Sequence, residues 1–385
     1  MAASKIFNDP IYGFISVPTG ILLQVIEHPH FQRLRRIKQL GLTHYVYPGA
    51  VHTRFNHALG AFHLMTEALY HLSQKGHNIS KEEMEAAQLA ILLHDIGHGP
   101  FSHVLEHSLV NIHHETITLW MMNDLNREFN GQLDLAIQMF KGQYHKKFLH
   151  QLISSQLDVD RLDYLKRDSF YTGVIEGNIG IDRLIMMMDV KDNELVLEEK
   201  AIYTIEKFLS SRRIMYLQVY LHKTALVAEK MLKLLLHKIA QKPELSQLSS
   251  DLALLLQLKE TDIANNQKLF IETFSKLDDI DIWNLLKQCR MNKDPELASL
   301  AIGLLDRKLF KIRVSNSPKS ILTNNIHIEN ILNEKEFKVE FSSYDPQEGE
   351  IMIVNKNSEI FPLSSMGDLQ YLLQNTTRYY TISNL

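Results

Sequence analysis

The chain has a single cysteine, Cys289, among 385 residues, which excludes an intramolecular disulfide and agrees with a reducing compartment. It has no run of about 18 uninterrupted apolar residues and no signal-peptide pattern. A membrane span is therefore not expected, and the cytoplasm is the expected location. It has little excess charge, a net −4, and so no global electrostatic footprint for nucleic acid. The exception is a local basic cluster, Arg33, Arg35, Arg36 and Lys38, whose plain reading is a solvated helix face. No internal repeat or low-complexity tract is visible. What remains is ordinary globular composition, 45% hydrophobic and 22% charged, in a chain longer than one ordinary core requires. The expectation is a large domain over 1–240 and a smaller C-terminal region over 241–385.

Histidine is the residue in excess. Of 19 histidines, all but His222, His237 and His327 lie at or before His150. Chemistry is therefore expected in the N-terminal half. Several of these, His28, His30, His71, His77, His107 and His145, read as surface or helix-cap residues and not as ligands.

The hydrophobic pattern is mostly helical. After His57, the residues Ala58, Ala61, Phe62, Met65, Leu69 and Leu72 recur at three- and four-residue steps. Ser80 with Glu83 is a capping-box signal for a helix running through Met84, Ala87 and Ile91 to His94. Further helices are predicted over 28–40, 114–129, 145–157, 159–170, 202–240 and 243–315. Asp192-Asn193 between two strand-like runs predicts a hairpin over Val190–Glu198. From about 320 the pattern alternates around turn residues, which predicts a small antiparallel sheet. The expected fold is mostly α with a small α+β C-terminal region.

The most informative feature is the pair His94-Asp95 in AILLHDIGHGPFSH. An apolar run, Leu89 to Leu93, delivers two adjacent metal-type ligands to a chain break at Gly97, Gly99 and Pro100. Burying both costs several kcal/mol unless something neutralises them, and a divalent cation is the simplest such partner. Metal ligands converge from several elements. His57, at a helix start close to Arg54, fits as a third. The fourth is expected among Asp158, Asp160, Asp163 and Asp168 of LDVDRLDYLKRD, where Asp160, Asp163 and Tyr164 share one helix face. For Asp158 and Asp163 the plainer roles are capping or salt bridges with Arg161 and Arg167.

The order H…HD…D with HDIGHGPFSH resembles the HD-domain phosphohydrolase superfamily. KIFNDPIYG, FQRLRRIKQLG, YPGAVHTRFNHALG, HHE, DVDRLDYLKRD and SSRRIMYLQVYLHK extend the match. They occur in the order seen in deoxynucleoside triphosphate (dNTP) triphosphohydrolases, which include an animal enzyme with a sterile-alpha-motif domain and bacterial relatives. The similarity covers roughly residues 4–235, with no sterile-alpha-motif domain expected before it.

The resemblance implies an HD-domain helical core and hydrolysis of a dNTP to deoxynucleoside and triphosphate. Its metal ligands become His57, His94, Asp95 and Asp160, a set suited to Fe, Mn, Ni or Zn and less to Mg, which can accompany the substrate. His98, His103 and His114 match active-site histidines, with Glu106 where the animal enzyme has an Asp. Histidine suits proton transfer near neutral pH. Arg54, Arg161 and Arg212 match phosphate-contacting positions, Arg161 standing where the animal enzyme has Lys. Gln39, Leu40 and Asp168 match the sugar region, and Tyr164 matches the ring packed under the sugar that leaves no room for a 2′ hydroxyl. Tyr216 and Tyr220 match positions near the base, Tyr216 replacing a histidine. Lys5, Ile6, Asn8, Glu27, Gln32 and Arg35 match a regulatory nucleotide site between subunits, which implies a homo-oligomer, dimer or tetramer. Glu27 takes the place of an Asp there.

Taken alone, Tyr216 and Tyr220 are core-facing aromatics, His103 is a helix cap, and either His113 or His114 is a surface residue. Two rival functions remain. One is another HD-type reaction: nucleotide monophosphatase, cyclic-nucleotide phosphodiesterase or guanosine tetraphosphate hydrolase. The other is a non-catalytic nucleotide-sensing or nucleic-acid-binding HD protein. The arginine set weighs against the first and the intact ligand set against the second.

Overall fold

The computed structural model describes residues 3–101, 104, 112–241, 250–258, 263, 266–317 and 336–383. A two-stranded hairpin, β1 (Ser4–Asp9) and β2 (Gly13–Pro18), leads into α1 (Ile21–Glu27) and α2 (Pro29–Gln32). His28 caps α2 by accepting the His30 N–H at 3.2 Å. The helix predicted over 28–40 stops at Gln32 and continues only as a 3₁₀ turn, Arg33–Arg36. Lys38 then pairs with Thr53, and the Gln39 N–H bonds the His52 carbonyl at 3.0 Å. Arg33 is not on a solvated face. It is completely buried and donates to the carbonyls of Leu277 at 3.1 Å and Ile96 at 2.8 Å.

Two helices form the centre, α3 (Arg54–Gln74) and α4 (Lys81–Leu93). The predicted stripe of α3, Ala58 through Leu72, is buried. The capping box of α4 is formed: Ser80 Oγ accepts the Glu83 N–H at 3.1 Å and Glu83 accepts the Ser80 N–H at 2.8 Å. The run Leu89–Leu93 is buried because α3 lies on one side of α4, while α6 (Asp134–Phe140) and α7 (Lys147–Ile153) lie on another. Between them in sequence comes α5 (His114–Glu128). Then α8 (Val159–Thr172) packs along α3. As a result α3 and α8 begin, and α4 ends, at the same place.

After α9 (Ile181–Met186), the predicted hairpin forms as β3 (Met188–Lys191) and β4 (Glu194–Glu198). Asp192 and Asn193 take φ of 51° and 68°, as a two-residue type I′ turn requires. The helix predicted over 202–240 is two, α10 (Ile202–Met215) and α11 (Lys223–Gln241). They are separated by a wide π turn, Tyr216–Tyr220, closed by the Leu221 N–H on the Tyr216 carbonyl at 2.8 Å. Helices α12 (Ser250–Gln257), α13 (Gln267–Phe274), α14 (Asp279–Cys289) and α15 (Pro295–Leu305) follow, but Lys311–Ser315, expected helical, is strand β5.

The C-terminal sheet also differs from expectation. The strands β6 (Glu336–Phe341) and β9 (Thr376–Ser383) join β5 in an antiparallel sheet ordered β5-β9-β6. By contrast β7 (Met352–Val354) and β8 (Ile360–Pro362) extend the earlier hairpin into a sheet ordered β3-β4-β7-β8, with β4 and β7 parallel. The physical reason is the β4 edge: its Leu195, Val196 and Leu197 are apolar and would present unpaired backbone to water without a covering strand. No helix among the described residues is long and apolar enough to cross a membrane.

Candidate active site

Where α3 and α8 begin and α4 ends, His57 Nε2, His94 Nε2 and Asp160 Oδ1 lie within 4.8 Å of one another. His57 Nε2 is 3.3 Å from His94 Nε2 and 3.0 Å from Asp160 Oδ1, which is 3.4 Å from His94 Nε2. Asp95 Oδ1 stands 3.5 Å from His94 Nε2, and Asp95 Oδ2 is 3.8 Å from His57 Nε2.

The tautomers decide whether a cation fits. His57 Nδ1 lies 2.7 Å from the Asp163 carboxylate, and His94 Nδ1 lies 2.6 Å from the Ile91 carbonyl. Both acceptors take an N–H, so in the neutral rings both protons sit on Nδ1 and both Nε2 lone pairs face each other at 3.3 Å. That contact is repulsive unless a proton or a cation lies between. Separations of 3.0–3.4 Å match the edges of a coordination shell with bonds of about 2.0–2.2 Å. The donor set therefore fits a divalent metal. Without one, protons do the work. Burial lowers the His57 pKa, but hydrogen bonds to Asp160 and Asp163 overcome this and lift it to about 10. His94 is also raised, against burial, by Asp95 and Asp160. Burial pulls Asp160 up, yet His94 and His57 hold it well below the usual carboxylate range.

Behind the ligands is a buried charge chain. Asp163 accepts Arg167 Nε and Nη2, both at 2.9 Å, and Arg167 Nη1 donates to Asp9 at 2.8 Å. Asp163 therefore forms the salt bridge expected of it and also orients His57, a contact that sequence spacing does not reveal. Asp158 takes its plainer role as the cap of α8, accepting the Arg161 N–H at 2.7 Å. Gly60 lets α3 and α8 approach: a Cβ there would lie 2.0 Å from Asp163 Oδ1 and 2.1 Å from Arg167 Nη2. On the other side, Thr118 Oγ1 accepts the Gly97 N–H at 3.0 Å and donates to the His94 carbonyl at 3.1 Å, seating the HD loop on α5.

A cavity of about 520 Å³ opens over Asp95 and Asp160. His98 and His114 line it as a stacked pair, ring centroids 4.0 Å apart at 18°. Burial, with Arg54 nearby, holds the His98 pKa well below its ordinary value, against the pull of Asp95, 3.3 Å away. Arg54, which pairs with Asp95, and Arg161 bring positive charge to the lining. Gln39, Leu40, Tyr164 and Asp168 continue the wall, and Tyr216 and Tyr220 complete it, both turned inward by the π turn. Tyr220 donates to Asp168 at 2.8 Å, and His52 meets the other Asp168 oxygen at 2.6 Å.

Arg212 stands behind this wall and does not line it. It is buried, donates to Gln156 at 3.0 Å, and its Nε has no hydrogen-bond partner among the described residues. Gln39 Oε1 is likewise buried without a partner there. His103 and Glu106 lie outside the described residues. Sequence spacing does not reveal His52 and Glu229, because their places beside Asp168 and the cavity depend on long-range packing.

The six residues matched to a regulatory site line none of this cavity. They gather on β1, at the ends of α1 and α2, and in the 3₁₀ turn that follows. Lys5 pairs with Glu27 at 2.8 Å, and Arg35 donates to Gln32 at 2.9 Å while its guanidinium sits 3.5 Å over the Phe55 ring. Gln32 bonds the Ile26 carbonyl at 2.7 Å, and Ile6 and Asn8 are exposed on β1.

A His/Asp metal-type centre at the meeting of three helix ends, opening on a cavity with cationic lining, fits a helical hydrolase of phosphorylated substrates. The HD-domain profile matches residues 54–168, and the HD-associated region matches 179–264. The Bacillus subtilis protein YwfO is 32% identical over 318 residues, spanning 81% of this chain and 72% of its own length. A phosphohydrolase from Bacteroides thetaiotaomicron superposes with a TM-score of 0.91 at 46% identity, covering 100% of both chains. Human deoxynucleoside triphosphate triphosphohydrolase SAMHD1 is 30% identical over 273 residues, 59% of this chain but 43% of its own length. The chain belongs to the HD-domain phosphohydrolase family, whose domains bind a divalent metal.

Proposed function

We propose that the protein hydrolyses deoxynucleoside triphosphates to deoxynucleoside and triphosphate. The observation that carries this reading is the cavity of about 520 Å³, with metal-type ligands, two arginines and an aromatic wall on one surface. A divalent transition metal held by His57, His94, Asp95 and Asp160 would supply Lewis acidity for phosphorus–oxygen chemistry. Arg54 and Arg161 neutralise the triphosphate, and Arg212, whose Nη1 is held by Gln156, offers its unpartnered Nε to a phosphate oxygen. Water adds at the α-phosphorus, the bond to the 5′ oxygen breaks, and that oxygen takes a proton. His98, whose pKa burial and Arg54 lower, stacks on His114 beside the reacting face. From the family resemblance we assign the leaving-group proton to His103, and to His114, oriented by Glu106, assistance at the α-phosphate.

The sugar binds against Tyr164, with Asp168 accepting the 3′ O–H and the Gln39 side-chain amide donating to the 3′ oxygen. The clamp of His52 and Tyr220 on Asp168 fixes the carboxylate before substrate arrives. Lys5, Ile6, Asn8, Glu27, Gln32 and Arg35 form a second nucleotide site in a homo-oligomer. The test is incubation of metal-loaded protein with each dNTP and each ribonucleotide, with the phosphorus product identified by chromatography. Triphosphate release with a deoxy preference of at least about tenfold supports the reading, about the discrimination a steric pocket gives. Orthophosphate or pyrophosphate as product, or equal turnover of dGTP and GTP, refutes it.

A further inference from the structure

Two walls of the cavity come from segments far apart in sequence. One is Gln39–Gly41, the other His98 with Phe101. Neither is a regular helix or an interior strand, so neither holds its shape by a ladder of its own. Phe101 also takes φ of 52°, a left-handed conformation that a non-glycine residue keeps only when its surroundings impose it.

What imposes it is the start of α14, some 180 residues later. Asp279 is buried, and its two carboxylate oxygens are divided between the walls. Oδ1 accepts the Phe101 N–H at 2.9 Å, and Oδ2 accepts the Lys38 N–H at 3.0 Å. The neighbouring residues repeat the connection. Leu277 accepts one branch of the buried Arg33 guanidinium at 3.1 Å, while the other branch reaches Ile96 at 2.8 Å. Asp278 pairs with Arg36. One turn on, Trp283 sets its ring 5.6 Å from Phe101 and 5.9 Å from the Lys38 ammonium. Lys38 adjoins Gln39, and Phe101 follows His98 by three residues, so a shift at either amide moves a residue of the lining.

We propose that Asp279 is a positioning residue: its carboxylate joins the two walls, so that the helical region beyond residue 240 sets the geometry of a cavity built from the first 230. The inference rests on reading that cavity as the active site. A carboxylate suits the task because both of its atoms accept. An amide in its place keeps one acceptor and turns an N–H₂ toward a buried N–H, which leaves that amide unsatisfied. The displaced wall then carries Gln39 or His98 away from its place.

The test is Asp279→Asn in the full chain, with Asp279→Glu beside it. The glutamate keeps both acceptors and serves as the readout should the asparagine variant not fold. Metal content, turnover of the substrate the wild type hydrolyses best, and amide hydrogen exchange are measured together. The expected result is unchanged metal content, faster exchange at the Phe101 and Lys38 amides, and kcat lowered about tenfold or more with KM moved less, in line with the rate cost of small misplacements. A purely structural contact would loosen the amides and lower the melting temperature while leaving kcat intact, and that outcome overturns the proposal. So does unchanged exchange at both amides. If the wild type turns over no dNTP but does hydrolyse another phosphate ester, the substrate reading fails and the same comparison on that ester still decides the role of Asp279. If it hydrolyses nothing offered, the reading of the cavity as an active site fails and the proposal falls with it.

Discussion

Replacing Gly60 with alanine sets two effects of opposite sign against each other. Gly60 lies inside α3, where alanine favours the helix by about 1 kcal/mol. If local propensity ruled, Gly60→Ala would stabilise the protein. The added Cβ, however, would lie 2.0 Å from Asp163 Oδ1 and 2.1 Å from Arg167 Nη2. Both must retreat by more than an ångström, and both are fully buried. Breaking a buried ion pair of this kind costs about 3–5 kcal/mol. The net expectation is destabilisation of roughly 2–4 kcal/mol, a fall in melting temperature of about 2–5 °C in a chain of this length. The displacement also removes the carboxylate that fixes the His57 tautomer, so metal affinity should fall about 10–100-fold. Thermal unfolding followed by circular dichroism gives the first number, and metal titration monitored calorimetrically gives the second. A variant as stable as the wild type with full metal affinity would refute the account of how α3, α8 and the metal ligands are coupled.

Three further outcomes are expected. Asp95→Ala should lose most bound metal by elemental analysis while keeping its helical circular dichroism; full occupancy would remove Asp95 from the ligand set. In the metal-free protein, His57 is raised from 6.5 to about 10, so its protonated form stabilises the fold fully below pH 6.5, and that contribution is lost as pH rises through about 10. Melting temperature of the metal-free protein should therefore fall from pH 7 to 10, metal uptake should release protons, and affinity should grow with pH; a metal-free protein that gains stability over that range contradicts the assignment. For the hairpin site, hydrolysis of one dNTP should change when a second, poorly hydrolysed nucleotide is added, and Arg35→Ala should abolish the change without lowering metal content. Constant rates for all pairs, with constant mass by light scattering, would leave that segment a structural role.

What the sequence disclosed was whatever is encoded by short spacing. Ser80 and Glu83 announce a capping box because the two bonds close within four residues. Asp192-Asn193 announces a turn because positive φ is demanded at both positions. His94-Asp95 stands out because two polar ligands follow a run of buried leucines, and the helix starts at Arg54 and Val159 supply the other partners. What it hid depends on long-range closure. The basic cluster reads as solvated because the carbonyls that hold Arg33 are distant in sequence, on Ile96 and Leu277. The C-terminal strands looked self-contained because β4 shows its need for a neighbour only as an apolar run, without saying which strand answers it. Without the family resemblance, Tyr216 and Tyr220 at four-residue spacing read as core-facing aromatics; the structure sets both on the cavity wall.

These hidden features share a physical logic. The candidate metal ligands sit on the ends of regular helices, whose internal bonds fix them, and such positions can be read from local pattern. The cavity walls are irregular, and irregular backbone keeps its shape only if its N–H and C=O groups find partners elsewhere. Arg33, Asp279 and the Asp168 clamp of His52 and Tyr220 supply those partners from distant segments. The candidate ligand set is therefore local, whereas the shape of the cavity beside it is distributed over the chain. Substitutions at the ligands should abolish metal binding, and substitutions at the distant supports should change which phosphate ester is accepted, and how fast, with the metal still bound.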